Sequence, residues 1–325
     1  MRPISIFPSL IIVGLLLSFP SHAEWFSEAQ DKMGTRVEVR LWHDDAEVAK
    51  DLIGEAMAEF DRIESAMSTY IGESEISRLN ASAAAEPFQT SAELFGLVDR
   101  ALELSAITGG AFDITYDGIG RLYDFRARVR PSDPEIEQRL ETVDYRYVRL
   151  DRETSRISFA RSGVRINLGG IAKGYAVESV IAKLRRAGVR NALASAGGDT
   201  RLLGDRGDQP WIVGIRDPDQ AEDFVTRLAL ADEAISTSGD YERFFIEDGV
   251  RYHHIFNPAT GKSVGALRSA TVVGPDATMT DGLSTSVFVM GPEAGFALIE
   301  SLPGYEVVII DNARRVRFSS GLDPG

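Results

Sequence analysis

The 325-residue chain contains no cysteine. That absence excludes thiol nucleophiles, disulfides, zinc–thiolate and iron–sulfur centres, and lipidation through a thiol. Histidine is almost as scarce. The four His occupy positions 22, 43, 253 and 254, too few and too scattered for a multi-His metal site. Basic residues are in the minority, 35 against 49 acidic, for a net charge of −14. Such a balance disfavours nucleic acid or an anionic membrane as the partner. The chain also lacks G-x-S-x-G, the Walker A spacing and G-x-G-x-x-G, which removes the nucleophile-elbow hydrolase and the familiar nucleotide loops. With 44% apolar and 26% charged residues, the composition is that of a globular protein. What remains for chemistry is carboxylates, hydroxyls, backbone groups and a few lysines.

Long apolar runs are missing too, except at the N-terminus. Residues 1–23 read MRPISIFPSLIIVGLLLSFPSHA, with Arg2 ahead of an apolar stretch and Ser21-His22-Ala23 as a small-x-small cleavage site. The pattern predicts a Sec-type secretory signal peptide, short for a membrane span and interrupted by Pro8, with the mature chain beginning near Glu24. The expected product is exported and periplasmic, where ATP is scarce, and residues 24–325 are expected to form a single domain.

Helical stripes are expected over Asp45–Met67, after Ser91, from Gly170 to about Ala187, and over Glu293–Leu302, with a helix starting at Asp281. Strands are expected at Met33–Trp42, Arg165–Leu168, Ala192–Ala196, Trp211–Ile215 and Ala270–Val273, among others, and Arg126–Leu140 reads as a surface excursion. Helices and strands do not alternate strictly, so the fold class is α+β rather than a doubly wound parallel sheet.

Five constellations could carry chemistry. In N-L-G-G-I-A-K-G-Y-A, Asn167–Ala176, paired glycines run straight into a helix, whose free N–H groups favour an anion; a plain turn is the alternative. In T-D-G-L-S-T, Thr280–Thr285, Asp281 and Thr285 lie four apart on one helical face and suit a hard cation such as Mg²⁺, unless Asp281 merely caps the helix. In Y-H-H-I-F-N-P, Tyr252–Pro258, one of two adjacent His can enter a site as a base, or simply pack. Gly109–Asp113, G-G-A-F-D, together with Tyr70 and Met33, could sandwich a flat ring, though such side chains are more often core. S-A-G-G-D (Ser195–Asp199) and S-T-S-G-D-Y (Ser236–Tyr241) each place Gly-Asp after a strand, the ordinary use of which is a turn.

The order of these motifs is more specific than any one of them. M-G-T, STY, S-E-I-S-R-L-N, G-G-A-F-D, N-L-G-G-I-A-K-G-Y, A-G-G-D, S-T-S-G-D-Y, H-x-F-N-P-x-T-G and D-G-L-S-T, spread over about Met33–Ile310, together resemble the ApbE family of FAD:protein FMN transferases. The resemblance implies an α+β fold with a T-fold-like core, mixed or antiparallel sheets and flanking helices. It implies Mg²⁺-dependent transfer of FMN from FAD to a threonine hydroxyl of an exported protein, with release of AMP. Relatives act on flavin-carrying subunits of respiratory redox complexes, so such subunits are the expected partners. By the same resemblance, the metal falls to Asp281, Thr285 and the carbonyl of Gly170. FAD contacts fall to Met33, Tyr70, Ala111, Phe112, Asp113, Asn167, Lys173, Phe256 and Ser284, and the catalytic groups are His254 and Asp281. Two departures stand out: Asn167 occupies a place where relatives often have Asp, and no lipobox cysteine is present, so no lipid anchor is expected. The competing functions are a Mg²⁺-dependent FAD pyrophosphatase, with water in place of the acceptor, and a periplasmic flavin-binding protein without catalysis.

Overall fold

A computed structural model describes residues 23–220 and 222–322. Most of the signal-peptide expectation therefore lies outside the described residues. The frame is one eight-stranded sheet built from β1 (Glu24–Lys32), β2 (Thr35–His43), β3 (Ala192–Ala196), β4 (Asp199–Leu203), β5 (Ala234–Gly239), β6 (Leu267–Gly274), β7 (Glu306–Asp311) and β8 (Val316–Phe318). These strands lie side by side in chain order, and every pairing is antiparallel.

Period-two patterning gives the sheet two covered faces. On β7, Val307 and Ile309 join the main core, while Val308 and Ile310 join a second core on the opposite side. The main core lies under helices α1 (Ala46–Met67), α2 (Ala92–Ile107), α3 (Ala172–Arg186) and α4 (Ala277–Met290). On β3 the inward residues are Ala192, Ala194 and Ala196, whose small side chains let α3 lie close. The second core is roofed by the hairpin of Trp211–Arg216 and Phe224–Leu230. The α+β expectation holds, with antiparallel sheets and flanking helices.

Helix starts follow the capping residues. The Asp45 side chain accepts from Glu47 N and Val48 N, and Ser91 Oγ from Leu94 N. The β1–β2 hairpin turns on Met33 and Gly34, both at positive φ (53° and 70°), the twist that a two-residue hairpin loop requires.

Four expectations need correction. β1 was not anticipated; its polar sequence EWFSEAQDK lacks alternation because it is the sheet's edge. Arg126–Leu140 is not merely a surface excursion: Asp133–Leu140 is helical, started by a Ser132–Glu135 capping box, and it buries Ile136. The helix expected to start at Asp281 begins at Ala277, capped by Asp276, whose carboxylate accepts from Met279 N. Arg165–Leu168 is not a ladder strand. Instead, the buried Asn80 amide takes both backbone groups of Ile166, donating to its carbonyl at 2.8 Å and accepting from its N–H at 2.8 Å.

Asn80 thus substitutes for a missing strand partner and fixes the entry to Gly169-Gly170. Asn80→Ala would orphan a buried N–H and a buried C=O, so a loss of about 2–4 kcal/mol in unfolding free energy is expected. Urea unfolding of the two proteins checks this; an unchanged midpoint would refute it.

Candidate active site

Helices α3 and α4 cross at Gly174. A Cβ on this glycine would stand 2.1 Å from the Ala277 carbonyl oxygen and 2.7 Å from Asp281 Cβ, so only glycine permits the crossing. The contact lets Gly174 N–H donate to Asp281 Oδ2 at 2.9 Å. In a regular helix that N–H would bond the carbonyl of Gly170. Among the described residues the Gly170 carbonyl accepts no hydrogen bond. Thr285 lies beside it: a Cβ on Gly170 would be 3.7 Å from Thr285 Oγ1 and 3.2 Å from the Phe112 ring.

Asp281 is 2% exposed and Asp199 1% exposed, and the Lys173 ammonium lies between them. Lys173 hydrogen-bonds Asp199 and stands 3.5 Å from Asp281 Oδ1. Burial, reinforced by the charge of Asp199, raises the Asp281 carboxyl to about 7 against the pull of Lys173. Burial opposes the charge on Lys173, yet the two carboxylates together hold its pKa above the usual lysine value.

A hard cation fits this group. Asp281, the Thr285 hydroxyl and the unpaired Gly170 carbonyl are all oxygen donors, the class that Mg²⁺ prefers, and they are brought together by one helix crossing. Three or more clustered His, Cys, Asp or Glu do not occur among the described residues, so this is a site of few charged ligands.

His254 follows the strand Val250–His253. Its Nδ1 is buried without a hydrogen-bond partner. Burial, then the charges of Arg243, His253 and Lys173, lower its pKa to about 3, so the ring is neutral at physiological pH. Its neighbour His253 is structural: Nε2 bonds the Val264 carbonyl at 2.6 Å and the ring packs edge-on against Phe288. His254, by contrast, lies within electrostatic reach of Lys173.

The FAD-contact candidates are placed unevenly. Tyr70 is 90% exposed, leaving its ring free to stack. Ala111 is half-buried on the loop after α2, and Phe112 is buried against Gly170 and Gly282. Asp113 is buried, and its carboxylate accepts from Thr115 N, Thr115 Oγ1 and Tyr145 N, so it shapes the loop from within. Met33 forms the β1–β2 turn and donates its N–H to Glu64 Oε2 at 2.9 Å. Asn167 donates to Thr69 Oγ1 and Asp117 Oδ1 and accepts from Gly169 N. The Phe256 ring packs on Tyr123, 4.5 Å between centroids, inside a small satellite core. Ser284 is buried, and its hydroxyl is engaged with Ser238 and the Asp281 carbonyl.

Sequence reasoning assigned no role to Asp199, Ser238, Tyr116, Asp117 or Arg243. Asp199 and Ser238 sit in quoted motifs, A-G-G-D and S-T-S-G-D-Y, but only the burial of Asp199 and the contacts of Ser238 with Ser284 and Thr285 set them apart from ordinary Gly-Asp turn sequence. Tyr116 reaches the glycine turn, its hydroxyl 3.3 Å from where a Gly169 Cβ would be. Arg243 donates to the Gly34 carbonyl at 3.3 Å, and its own carbonyl accepts from His254 N–H.

Residues 33–309 match the profile of the ApbE family. The chain belongs to the ApbE family. It is 33% identical over 273 residues to a FAD:protein FMN transferase of Vibrio cholerae, covering 81% of each chain. A Treponema pallidum protein of the same name is 32% identical over 318 residues, covering 91% of this chain and 87% of the relative. Among solved structures, the ApbE protein of Thermotoga maritima superposes with a TM-score of 0.85 at 30% identity, covering 92% of this chain and 98% of that one. The flavin transferase ApbE of Vibrio cholerae gives 0.83 at 31%, covering 93% and 99%.

A His that is neutral when buried binds no proton as pH falls through about 6.5, whereas the unfolded chain does. Stability is therefore lost on acidification from about 6.5 toward 3, and His254 contributes about 2 kcal/mol of that loss by pH 5. His254→Gln should flatten the pH 7-to-5 decline in unfolding free energy by roughly this amount. An identical slope in both proteins would place the ring in a solvated position instead.

Proposed function

We infer that this ApbE-family chain transfers FMN from FAD to a hydroxyl of a protein acceptor, releasing AMP. The observation that carries the reading is the convergence of Asp281, Thr285 and the free Gly170 carbonyl, with the unpartnered His254 within electrostatic reach of Lys173, in a chain whose relatives are named for this reaction. Asp281, Thr285 and Gly170 would hold Mg²⁺, which, when bound, neutralises pyrophosphate charge and withdraws electrons from phosphorus.

The protein's own groups account for the remainder. The acceptor threonine Oγ forms a bond to the FMN phosphorus, and the bond from that phosphorus to the bridging oxygen breaks. The electron pair leaves with AMP. The threonine proton passes to His254 Nδ1, which is neutral and has no other partner. An anionic substrate beside His254 offsets the positive charges of Arg243 and Lys173 and so raises the basicity of the ring. Tyr70, exposed near the turn that Asn167 and Thr69 brace, offers a stacking surface for the isoalloxazine. Lys173 is committed to Asp199, so its part is to hold the carboxylates in place rather than to reach a distant phosphate.

The reading extends to location and partner. Residues 1–23 have the composition of a secretory signal, and the acceptor is then another exported protein, with flavin-carrying subunits of respiratory redox complexes as the leading class. Any acceptor must present its hydroxyl on an exposed loop, because Asp281 and the Nδ1 of His254 are buried.

Incubation with FAD, Mg²⁺ and an exported flavin-acceptor subunit should yield a fluorescent acceptor band that survives denaturation. The added mass should be that of one FMN residue, with no adenine, and should disappear when the acceptor Thr becomes Val. Free FMN and AMP without a labelled acceptor would instead mean pyrophosphatase action.

Three substitutions separate binding from chemistry. Asp281→Ala and excess chelator should each abolish turnover. His254→Ala should leave FAD affinity within about threefold while lowering kcat by about 10²–10⁴. Tyr70→Ala should do the reverse, weakening FAD binding about five- to tenfold. A His254→Ala protein that binds FAD poorly but turns over normally at saturation would reassign that residue to structure.

A further inference from the structure

Strand β5 carries Ser236 and Ser238 on one face, and that face is turned toward α4. Each serine meets a hydroxyl of the helix: Ser236 Oγ lies 2.8 Å from Thr280 Oγ1, and Ser238 Oγ lies 2.9 Å from Ser284 Oγ and 3.1 Å from Thr285 Oγ1. In both contacts the helix hydroxyl also donates to a carbonyl of its own helix. Thr280 donates to the Ala277 carbonyl at 3.2 Å, and Ser284 donates to the Asp281 carbonyl at 2.9 Å. Thr285 makes no such bond to its own helix.

A hydroxyl has one proton to give. Carbonyl oxygens only accept, so the proton of Ser284 is committed to Asp281 O. The 2.9 Å contact between Ser238 and Ser284 must then be filled by the proton of Ser238. Otherwise two oxygen lone pairs would face each other. With its proton spent, Ser238 can only accept from Thr285. The geometry points to a directed chain, Thr285 to Ser238 to Ser284 to the Asp281 carbonyl, in which Ser238 is a positioning residue that turns the Thr285 proton away from the site and presents its lone pairs to a cation.

This inference rests on the cation reading of Asp281, Thr285 and Gly170 and deepens it. A threonine hydroxyl is a poor ligand if its proton points at the metal. Fixing the rotor beforehand removes both that repulsion and the entropy of ordering it on binding. The aligned hydroxyls also account for two consecutive helix positions, Ser284 and Thr285, both meeting Ser238.

The test is Mn²⁺ binding to the FAD-free protein, followed by the loss of the free-ion paramagnetic resonance signal. Ser238→Ala should weaken Mn²⁺ about tenfold, the equivalent of one hydrogen bond's net contribution. Ser238→Thr, which keeps the hydroxyl, should stay within about threefold of the parent. Ser284→Ala should weaken Mn²⁺ as well, because Ser238 is then free to turn its proton onto Thr285. It serves as the second variant if Ser238→Ala does not fold by circular dichroism. Ser238→Ala and Ser284→Ala both binding Mn²⁺ as tightly as the parent would overturn the chain of bonds, and so would a Ser238→Thr protein no better than Ser238→Ala. Asp281→Ala separates the two readings. If it binds as the parent does, the cation site itself is wrong and the relay falls with it; if it alone loses Mn²⁺, the site stands and only the relay falls.

Discussion

Everything at the site depends on how closely α3 and α4 approach at Gly174. The absence of a single side chain there brings one helix's backbone against the other's carboxylate. Gly174 N–H turns from its own helix to Asp281 Oδ2, and the Gly170 carbonyl is released. Two consequences thus follow from one contact: a charged oxygen is held in place, and a neutral oxygen is freed beside it. A carboxylate anchored by a backbone donor keeps its orientation without a second cation, which suits a site meant to receive one.

Charge balance supports the same arrangement. Two carboxylates buried to this degree would be prohibitive alone, and Lys173 offsets one of them. With Lys173 bonded to Asp199, the remaining charge would fall to Asp281, whose raised pKa shows that this charge is disfavoured until a cation meets it. A divalent cation would therefore meet a site with one uncompensated charge, and an anionic pyrophosphate would then find a net positive one. Arg243, near the turn at Gly34 and without a carboxylate partner among the described residues, adds to that positive field. In a chain of net charge −14, a cation bound here would give the site a local positive field toward an anionic dinucleotide.

The sequence was legible where pattern and chemistry coincide. The amphipathic stripe of α1, the Ser91 cap of α2, and the Asp281/Thr285 spacing on α4 can each be read from a period or a side-chain type. It was less legible where a side chain replaces regular backbone bonding. Arg165–Leu168 has a strand's residues, yet Asn80, 86 positions from Ile166, supplies the bonds that a neighbouring strand would give. β1 hid for the opposite reason: an edge strand with no buried side chain has no alternation to display. At the site, motif order singled out Asp281, Thr285 and Gly170, which one helix crossing brings together, but not the residues that support them. Asp199, Ser238 and Tyr116 act through distance, and distances between segments far apart in the chain leave no local trace.

Asn167 shows how such support can decide a residue's identity. An aspartate there could accept from Gly169 N–H as well as asparagine does. It could not donate, and two of the three bonds made by this side chain are donated, one to Thr69 Oγ1 and one to Asp117 Oδ1. Asp117 is itself buried and already paired with Arg165 at 3.0 Å. A carboxylate at 167 would face another at hydrogen-bond distance, with one guanidinium to serve both. The amide instead joins the end of α1, through Thr69, to the short helix at Asp117 and to the glycine turn that leads into α3. The amide at this position thus supplies rigidity to the loop that carries Gly170 without adding a second carboxylate beside Asp117.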